Sequence, residues 1–439
     1  MMRTAQIVAK NVIRSLINGT APWTLLCFAA YAGEGEWNRF RGPNGSGISD
    51  AKTVPAQWTE KNYNWQVALT GVGHSSPVIR GRRLFVTCGD PKTADRCVLC
   101  LDTTDGHKLW QRDFPSRKYA QHPDNGYATA TPAVDEDGVV LTWTTPEEVL
   151  LVAVSLDGNE LWRRSLGPFV AVQGSGISPI IVGDLAVLDN SQEDPSLVPG
   201  HKTPPGPAGK SFWIAVDRKT GRTRWQVDRP TSFSAYATPC LYEAKDGRRE
   251  LIFTSTPRGM TGVAPATGKI LWELDQKFLD RTIASPVVAP GLIFAGHGAG
   301  LRGSRYVAVH PGEGGGRPTV AYELTKSVPL VPTPLVKDGR MYLWADDGVV
   351  SCVRLSDGEL VWRERVGGSF YGSPVWVDHR LYCIARNGEV VVIAAGDKFN
   401  LLVRVSLGEP SYATPAIAGG VMYLRTRSQL FSLGGKSGQ

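Results

Sequence analysis

Short apolar runs separated by turns recur along most of the chain. They are rich in Val, Ile, Leu and aromatic residues, and Gly, Pro or Asp stands in the turns around them. The clearest runs lie at residues 84–87, 139–143, 251–254, 292–295, 341–344 and 381–384. Runs of this length are too short for typical helices, so the pattern predicts a β protein built from many short strands.

One group of Ser-Pro and Thr-Pro dipeptides recurs at intervals of 40 to 60 residues. The residues before the prolines are Ser76, Thr131, Ser178, Thr238, Ser285, Thr333, Ser373 and Thr414. Each dipeptide is followed by a few apolar residues, a turn and a β run. Further β runs follow at residues 98–101, 149–154, 212–216, 306–309, 349–353 and 390–393. Repetition at this period predicts a series of eight similar β units.

A tryptophan stands four residues after the glycine of an Asp-Gly or Thr-Gly turn in five units, at Trp110, Trp162, Trp225, Trp272 and Trp362. Glycine accepts positive φ without steric cost, so the dipeptide predicts a tight turn before a fourth strand. We expect the indole ring to pack between adjacent sheets, with its N–H bonded to a backbone carbonyl. Tyr322 and Val403 replace the tryptophan in the fifth and seventh units.

The eighth unit lacks a fourth strand of its own, and residues near 63–69 resemble that missing strand. We therefore expect them to close a ring by joining the last unit. Radial stacking of sheets leaves only short, protected edges. The predicted fold is all-β, an eight-bladed β-propeller of four-stranded antiparallel blades, formed as a single domain over residues 33–439.

The N-terminus predicts export. Arg3, Lys10 and Arg14 precede an uncharged stretch, residues 15–32, that ends in small residues suited to a signal peptidase. This order predicts a Sec signal peptide over residues 1–32, cut near Ala32. Its removal lowers the formal net charge from +7 to +4. We expect a periplasmic or cell-surface protein.

Composition excludes other classes. The chain is 20% charged and 42% hydrophobic, with 49 Gly and 30 Pro, which is typical of a globular, turn-rich protein. No continuous apolar run reaches the roughly 20 residues of a membrane span, so we do not expect an integral membrane protein. The basic residues are scattered, so we expect no nucleic-acid partner. We expect a monomer.

The cysteines predict no metal site. Cys97 and Cys100 are three apart in a predicted strand, which places them on opposite faces. Cys88 and Cys97 lie on either side of a predicted hairpin turn, so an oxidising compartment permits a disulfide between them. We favour free thiols buried in strands over this disulfide.

The segment Ala215-x-Asp217-x-x-Thr220-Gly221-x-x-x-Trp225 resembles the tryptophan-docking repeat of pyrroloquinoline-quinone (PQQ) propeller proteins. Near matches extend the resemblance over about residues 37–434. The motif Trp37-x-x-Phe40-Arg41-Gly42-Pro43 resembles a feature of exported bacterial PQQ-repeat proteins of the planctomycete type. The resemblance implies a propeller that is shared by quinoprotein dehydrogenases and by non-enzymatic proteins such as the outer-membrane assembly protein BamB.

Function remains open between these branches. The chain has neither an adjacent Cys-Cys pair nor a Cys-x-x-Cys-His haem motif. We therefore expect an exported, non-catalytic propeller, without a cofactor, that binds an envelope protein, a peptide or a small ligand. The first alternative is a PQQ-dependent alcohol or sugar dehydrogenase, in which the resemblance implies PQQ with Ca²⁺. The second is a cell-surface polysaccharide-binding or adhesion propeller.

Residues three to six before the repeated prolines occupy equivalent places around the ring, where we expect the connections between blades to approach one mouth of the channel. They are His74, Tyr127, Gln173, Tyr236, Arg281, Tyr371 and Tyr412. Tyrosine recurs at four of the seven positions and offers an apolar face with a hydrogen-bonding tip. We predict that this mouth binds the ligand or partner. Arg258, Arg386 and Arg427 follow second strands and would favour an acidic ligand there.

Overall fold

Eight β-sheets make up the described part of the chain. The computed structural model describes residues 36–194, 209–298, 303–312 and 316–435. The predicted signal peptide lies outside these residues. No helix within the described ranges is long and apolar enough to cross a membrane.

The first four blades follow the chain in order. Blade 1 contains β4 (Val78–Arg80), β5 (Arg83–Gly89), β6 (Arg96–Asp102) and β7 (Lys108–Phe114). Blade 2 contains β8 (Ala133–Val134), β9 (Val139–Thr144), β10 (Val149–Val154) and β11 (Glu160–Ser165). Blade 3 contains β12 (Ile180–Val182), β13 (Leu185–Asn190), β14 (Phe212–Asp217) and β15 (Thr223–Asp228). Blade 4 contains β16 (Cys240–Glu243), β17 (Arg249–Ser255), β18 (Gly259–Val263) and β19 (Ile270–Glu273).

The remaining blades continue this order, and the last one recruits a strand from the N-terminal side. Blade 5 contains β20 (Val287–Ala289), β21 (Leu292–Gly298), β22 (Ser304–His310) and β23 (Thr319–Leu324). Blade 6 contains β24 (Leu335–Lys337), β25 (Arg340–Trp344), β26 (Val349–Arg354) and β27 (Leu360–Arg365). Blade 7 contains β28 (Val375–Val377), β29 (Arg380–Ile384), β30 (Glu389–Ala394) and β31 (Leu401–Ser406). Blade 8 contains β32 (Ala416–Ala418), β33 (Val421–Arg425), β34 (Gln429–Gly434) and β3 (Tyr63–Ala68).

The predicted closure is confirmed. Strand β3 pairs antiparallel with β34, from Tyr63 opposite Leu433 to Ala68 opposite Gln429. Two short strands, β1 (Glu36–Trp37) and β2 (Ile48–Ser49), add to the innermost strands of blades 1 and 7. Two 3-10 helices, Pro43–Gly45 and Glu60–Asn62, complete the N-terminal region. The eight-bladed propeller predicted from the repeat is therefore the observed fold.

In five blades the repeated tryptophan bonds to the next blade. The indole N–H of Trp162 donates to the backbone oxygen of Arg218 in blade 3 at 2.8 Å. Corresponding bonds to the next blade start from Trp65, Trp110, Trp225 and Trp362. Tyr322 keeps the role in blade 5, because its hydroxyl donates to the oxygen of Leu355 at 2.7 Å. Trp272 differs from the expectation and donates to the carboxylate of Glu250 at 2.6 Å.

The hydroxyl residues before the repeated prolines form what we call the Ser/Thr belt. Seven of the eight hydroxyl oxygens, all but that of Thr238, accept a hydrogen bond of 2.9–3.0 Å from the backbone N–H of the equivalent residue in the neighbouring blade. The bond from Thr414 N–H to Ser76 Oγ joins the last blade to the first. The belt holds the innermost ends of the blades at a common height around the channel.

Residues 37–48, which we call the plug, cross the central channel. Trp37 pairs with Ile79 in blade 1, and the oxygen of Asn38 accepts a bond from the N–H of Val134 in blade 2. The guanidinium group of Arg39 donates to the oxygen of Pro239 before blade 4 at 2.6 Å. The plug therefore contacts the innermost strands from several sides at once, which the sequence analysis did not foresee.

Arg41 anchors the plug to the opposite side of the ring. It is fully buried, and its Nη1 and Nη2 donate to the oxygens of Pro334 at 2.9 Å and Pro374 at 3.4 Å. Burial lowers its pKa to about 9, so the guanidinium remains charged at neutral pH. Its charge therefore faces backbone carbonyl dipoles, and it has no ion-pair partner within residues 36–194, 209–298, 303–312 and 316–435.

The six cysteines of the described region are buried free thiols. Cys97 and Cys100 face different core clusters, as the strand period predicted. Cys88 and Cys97 are direct cross-strand partners on β5 and β6. Arg425 Nη2 lies 3.5 Å from the Sγ atom of Cys88.

Candidate functional site

A cavity of about 320 Å³ lies at one mouth of the channel. Its wall contains belt residues from seven blades, and the side chain of Phe40 reaches it from the plug. Since the plug fills the channel beyond this point, we infer that the cavity is open on one side only. The lining is mainly apolar: Ile283, Leu330 and Val331 join the aromatic rings described below.

Five of the seven predicted mouth residues line this cavity: His74, Gln173, Tyr236, Tyr371 and Tyr412. Equivalent positions in the repeat therefore do converge on one place. Blade 6 has no residue in the predicted set, and the structure places the apolar Val331 there, three residues before Pro334. The cavity is consequently not symmetric, with tyrosines before blades 4, 7 and 8 and an aliphatic wall before blade 6.

Two predicted residues lie elsewhere at the same end of the ring. Tyr127 lines a neighbouring cavity of about 60 Å³, and its hydroxyl donates to the backbone oxygen of Tyr119 at 3.3 Å. Arg281 pairs with the buried carboxylate of Glu193 at 3.0 Å and lies 4.8 Å from the ring centroid of Phe233. Both groups therefore have intramolecular partners and do not line the main cavity.

His74 and Tyr412 form one aromatic wall. Their rings stack with centroids 4.3 Å apart. Burial, together with the positive charges of Arg425 and Arg427, lowers the pKa of His74 to about 4, and the opposing effect of Asp124 is smaller. The imidazole is therefore neutral at neutral pH, and it offers a flat face rather than a charge.

Tyr236 and Gln173 form the opposite wall. The hydroxyl of Tyr236 donates to the oxygen of Gly174 at 3.1 Å and accepts a bond from Ser234 at 2.9 Å. These bonds fix its ring, and burial raises its pKa, so the phenol stays protonated. The Oε1 atom of Gln173 is buried without a hydrogen-bond partner among the described residues. It is an acceptor that a ligand could use.

Arg386 lies against two of the tyrosines. The carbon of its guanidinium group is 4.4 Å from the ring centroid of Tyr371 and 5.3 Å from that of Tyr412. Its Nη2 donates to Asp124, which also accepts a bond of 3.2 Å from the hydroxyl of Tyr371. The sequence predicts Arg386 as a source of positive charge at the mouth. It does not predict Asp124 or Phe40, because neither occupies an equivalent position in the repeat.

The donor atoms of the lining do not suit a Ca²⁺-bound quinone. Calcium takes six to eight oxygen ligands, commonly including several carboxylates. Among the described lining residues Asp124 supplies the only carboxylate, and its oxygens accept bonds from Arg386 and Tyr371. No catalytic step through PQQ can be built on these residues.

A separate acidic group lies near the start of blade 2. The carboxylate oxygens of Asp135, Glu136 and Asp137 lie within 4.8 Å of one another. The guanidinium group of Arg218 pairs with all three of them, and Lys219 pairs with Asp137. These cations already neutralise much of the local charge, so the group is explained as an ion-pair network.

Comparison with known sequences finds a matching family and a relative within it. The sequence profile of the family described as outer membrane protein assembly factor BamB matches residues 56–198, 207–336 and 307–439. The outer membrane protein assembly factor BamB of Moranella endobia (strain PCIT) is 26% identical over 233 residues, which are 48% of this chain and 56% of that protein. The match thus spans about half the length of that relative.

Solved structures share the fold. BamB from Moraxella catarrhalis superposes with a TM-score of 0.59 at 13% identity, covering 85% of this chain and 97% of that one. The quinohemoprotein alcohol dehydrogenase of Comamonas testosteroni gives a TM-score of 0.60 at 12% identity, covering 92% of this chain and 81% of that one. At such identities the likeness concerns the fold alone, and it does not separate a binding protein from an enzyme.

Proposed function

This chain belongs to the family of the outer membrane protein assembly factor BamB, and we propose that it is an exported, non-catalytic propeller that binds a segment of a partner protein at the channel mouth. The observation that carries the proposal is the cavity of about 320 Å³ that His74, Tyr236, Tyr371 and Tyr412 line. The name of the family refers to protein assembly, which agrees with a protein partner. The export signal predicted from the sequence would place the chain where such a partner is found.

The size and chemistry of the cavity support a peptide segment. A volume of about 320 Å³ is at the small end of the range for small-molecule sites, which is roughly 300–1,000 Å³. It is sufficient for one or two large side chains. Tyrosine rings supply rigid contact area with little loss of conformational entropy, and tyrosine is enriched in protein interfaces for this reason. The surrounding backbone would remain outside, on the rim.

Photocrosslinking from inside the cavity tests the proposal. Benzoylphenylalanine at position 412 should crosslink one specific envelope protein in native cells. The same group at position 360, on the exposed outer strand β27, serves as the control, since Leu360 is 47% exposed and far from the mouth. Combined alanine substitution of Tyr236, Tyr371 and Tyr412 should abolish association with the captured protein.

Two results would contradict the proposal. Identical crosslinks from positions 412 and 360 would show contact that is not specific to the mouth. Unchanged association after the three tyrosine substitutions would show that the cavity does not contribute.

The alternatives have their own tests. The dehydrogenase alternative predicts that the purified chain, supplied with PQQ and Ca²⁺, reduces an electron-acceptor dye when an alcohol or a sugar is added. We expect no reduction, because the lining does not supply the donor set for Ca²⁺. The polysaccharide alternative predicts retention on cell-wall glycans, and our proposal predicts none.

A further inference from the structure

The connection between blades 1 and 2 crosses the mouth of the cavity. It runs from β7 to β8 over residues 115–132, and we call residues 119–126 the strap. At one point of the strap, the Nδ2 atom of Asn125 donates to the oxygens of Gln173 at 2.6 Å and Ser175 at 3.2 Å, before blade 3. At the adjacent residue, Asp124 contacts blade 7. The strap thus links two distant blades.

At the contact with blade 7, the carboxylate of Asp124 lies in a site whose other groups are held in place by their own contacts. Asp124 accepts bonds from Arg386 Nη2 and from the hydroxyl of Tyr371. The guanidinium group also lies over the rings of Tyr371 and Tyr412, and the Tyr412 hydroxyl is 3.5 Å from Nη2. The aromatic contacts position Arg386 independently of Asp124. The site would therefore keep its shape if another carboxylate took the place of Asp124.

The bond to Asp124 is easily exchanged. The side chains of Arg386 and Asp124 are 31% and 32% exposed, and ion pairs that are open to water contribute little to stability. Arg425 and Arg427 also lie close enough to His74 to lower its pKa, and Glu409 lies near both of these arginines. Asp124 is the carboxylate that pairs with Arg386. If Asp124 left, an unbalanced positive charge would remain beside the aromatic wall. An incoming carboxylate would restore the balance.

Resting on the proposed function, we propose that Arg386, Tyr371 and Tyr412 form a carboxylate-binding subsite that Asp124 occupies until a partner binds. An acidic side chain of the partner segment replaces Asp124, and an adjacent large apolar side chain enters the cavity. The acidic side chain and the apolar side chain would bind to neighbouring parts of one wall of the cavity. The aliphatic residues Leu330 and Val331 line the part of the cavity that would receive the apolar side chain.

A matched pair of probes tests the subsite on the full-length protein. The acidic probe is N-acetyl-Glu-Phe-amide, and its neutral counterpart is N-acetyl-Gln-Phe-amide. Both are titrated by calorimetry or by ligand-observed NMR. We expect the wild type to prefer the acidic probe by about tenfold, the usual size of one charge-assisted hydrogen bond. Added salt should reduce this preference.

Three variants separate the roles. Asp124→Asn removes the internal competitor and should strengthen binding of the acidic probe about fivefold or more, with little change for the neutral probe. Arg386→Gln should abolish the preference. Arg224→Gln is the matched control, because Arg224 on β15 pairs with Asp217 at 3.2 Å much as Arg386 pairs with Asp124, and Arg224 does not line the cavity. It should retain the full preference, and thermal melting of each variant checks folding.

The outcomes are distinct. A preference that survives Arg386→Gln, an unchanged affinity in Asp124→Asn, or a failure of every variant to bind either probe would overturn the subsite. If Arg386→Gln also leaves the crosslink from position 412 unchanged, the subsite is wrong while the proposed function stands. If the crosslink is absent from the wild type, the proposed function itself fails.

Discussion

The contact between each repeated tryptophan and the next blade can be tested at a single glycine. Gly221 lies in the turn before β15 at φ +69°, and an added Cβ would come within 2.7 Å of the ring of Trp162. Gly183 lies in another turn of the same blade at φ +56°, where an added Cβ would meet nothing within 4 Å. Gly221→Ala and Gly183→Ala therefore share the backbone strain and differ in the contact with the ring.

The difference between the two variants gives the magnitude. A left-handed backbone conformation costs an L-residue about 1–2 kcal/mol, and both variants bear this cost. Only Gly221→Ala also forces overpacking, which costs about 1–3 kcal/mol. It would displace Trp162, whose indole N–H donates to the oxygen of Arg218 at 2.8 Å. We expect Gly221→Ala to lose about 1–3 kcal/mol more than Gly183→Ala.

Urea denaturation followed by tryptophan fluorescence measures both losses. The midpoint should fall slightly for Gly183→Ala and clearly further for Gly221→Ala, at an unchanged slope. Equal losses would refute the reasoning, because they would mean that the ring can move away from a methyl group without cost. When Trp162 is already replaced by alanine, Gly221→Ala should lower the free energy of unfolding by less than it does in the wild type. The reason is that no indole ring remains for the added methyl group to collide with.

Two further predictions concern closure and pH. Deletion of residues 36–70 removes the plug and strand β3, and we expect it to abolish cooperative unfolding; a truncated protein with an unchanged melting transition would refute the closure. His74 has a folded pKa of about 4 against an ordinary value of 6.5, so between these pH values the unfolded chain takes up a proton that the folded chain refuses. Relative to His74→Gln, the wild type should lose up to about 3 kcal/mol as pH falls from 6.5 to 4, with no such loss above pH 7; parallel stability curves for the two proteins would contradict this.

Much of the fold could be predicted because the repeat is carried by local chemistry. The Ser/Thr-Pro dipeptides, the turn glycines and the tryptophans each report one blade. Strand Tyr63–Ala68 was placed in blade 8 for the same reason. The plug could not be placed, because contacts of its two buried arginines join residues 200 or more positions apart, such as Arg39 to Pro239 and Arg41 to Pro334. No local pattern encodes where a buried guanidinium group finds its carbonyl.

The sequence predicted part of the candidate site: the residues at repeated positions, but not their contacts. Counting back from the repeated prolines found His74, Tyr236 and Tyr412, because the belt sets those residues at one height. It also selected Arg281, which forms an ion pair with Glu193 and does not line the cavity. Asp124 was missed, since its role depends on a long connection that reaches blade 7 from blade 1. The position of a residue in the repeat predicts that it lies in the ring around the mouth. Which other residue it contacts there can be seen only in the folded structure.

In this propeller the repeated residues hold the blades together, and residues outside the repeat give the cavity its chemistry. Belt hydroxyls and docking tryptophans are repeated, and most of them form bonds between neighbouring blades. The residues that distinguish one position of the ring from another depart from the repeat: Val331 before blade 6, Arg386 after β29, and Asp124 in the connection between blades 1 and 2. These departures lie on one wall of the cavity and combine an aliphatic surface with an exchangeable ion pair. A ring that was fully symmetric would offer eight equal positions and no orientation for a ligand, so the departures are the residues from which specificity must arise.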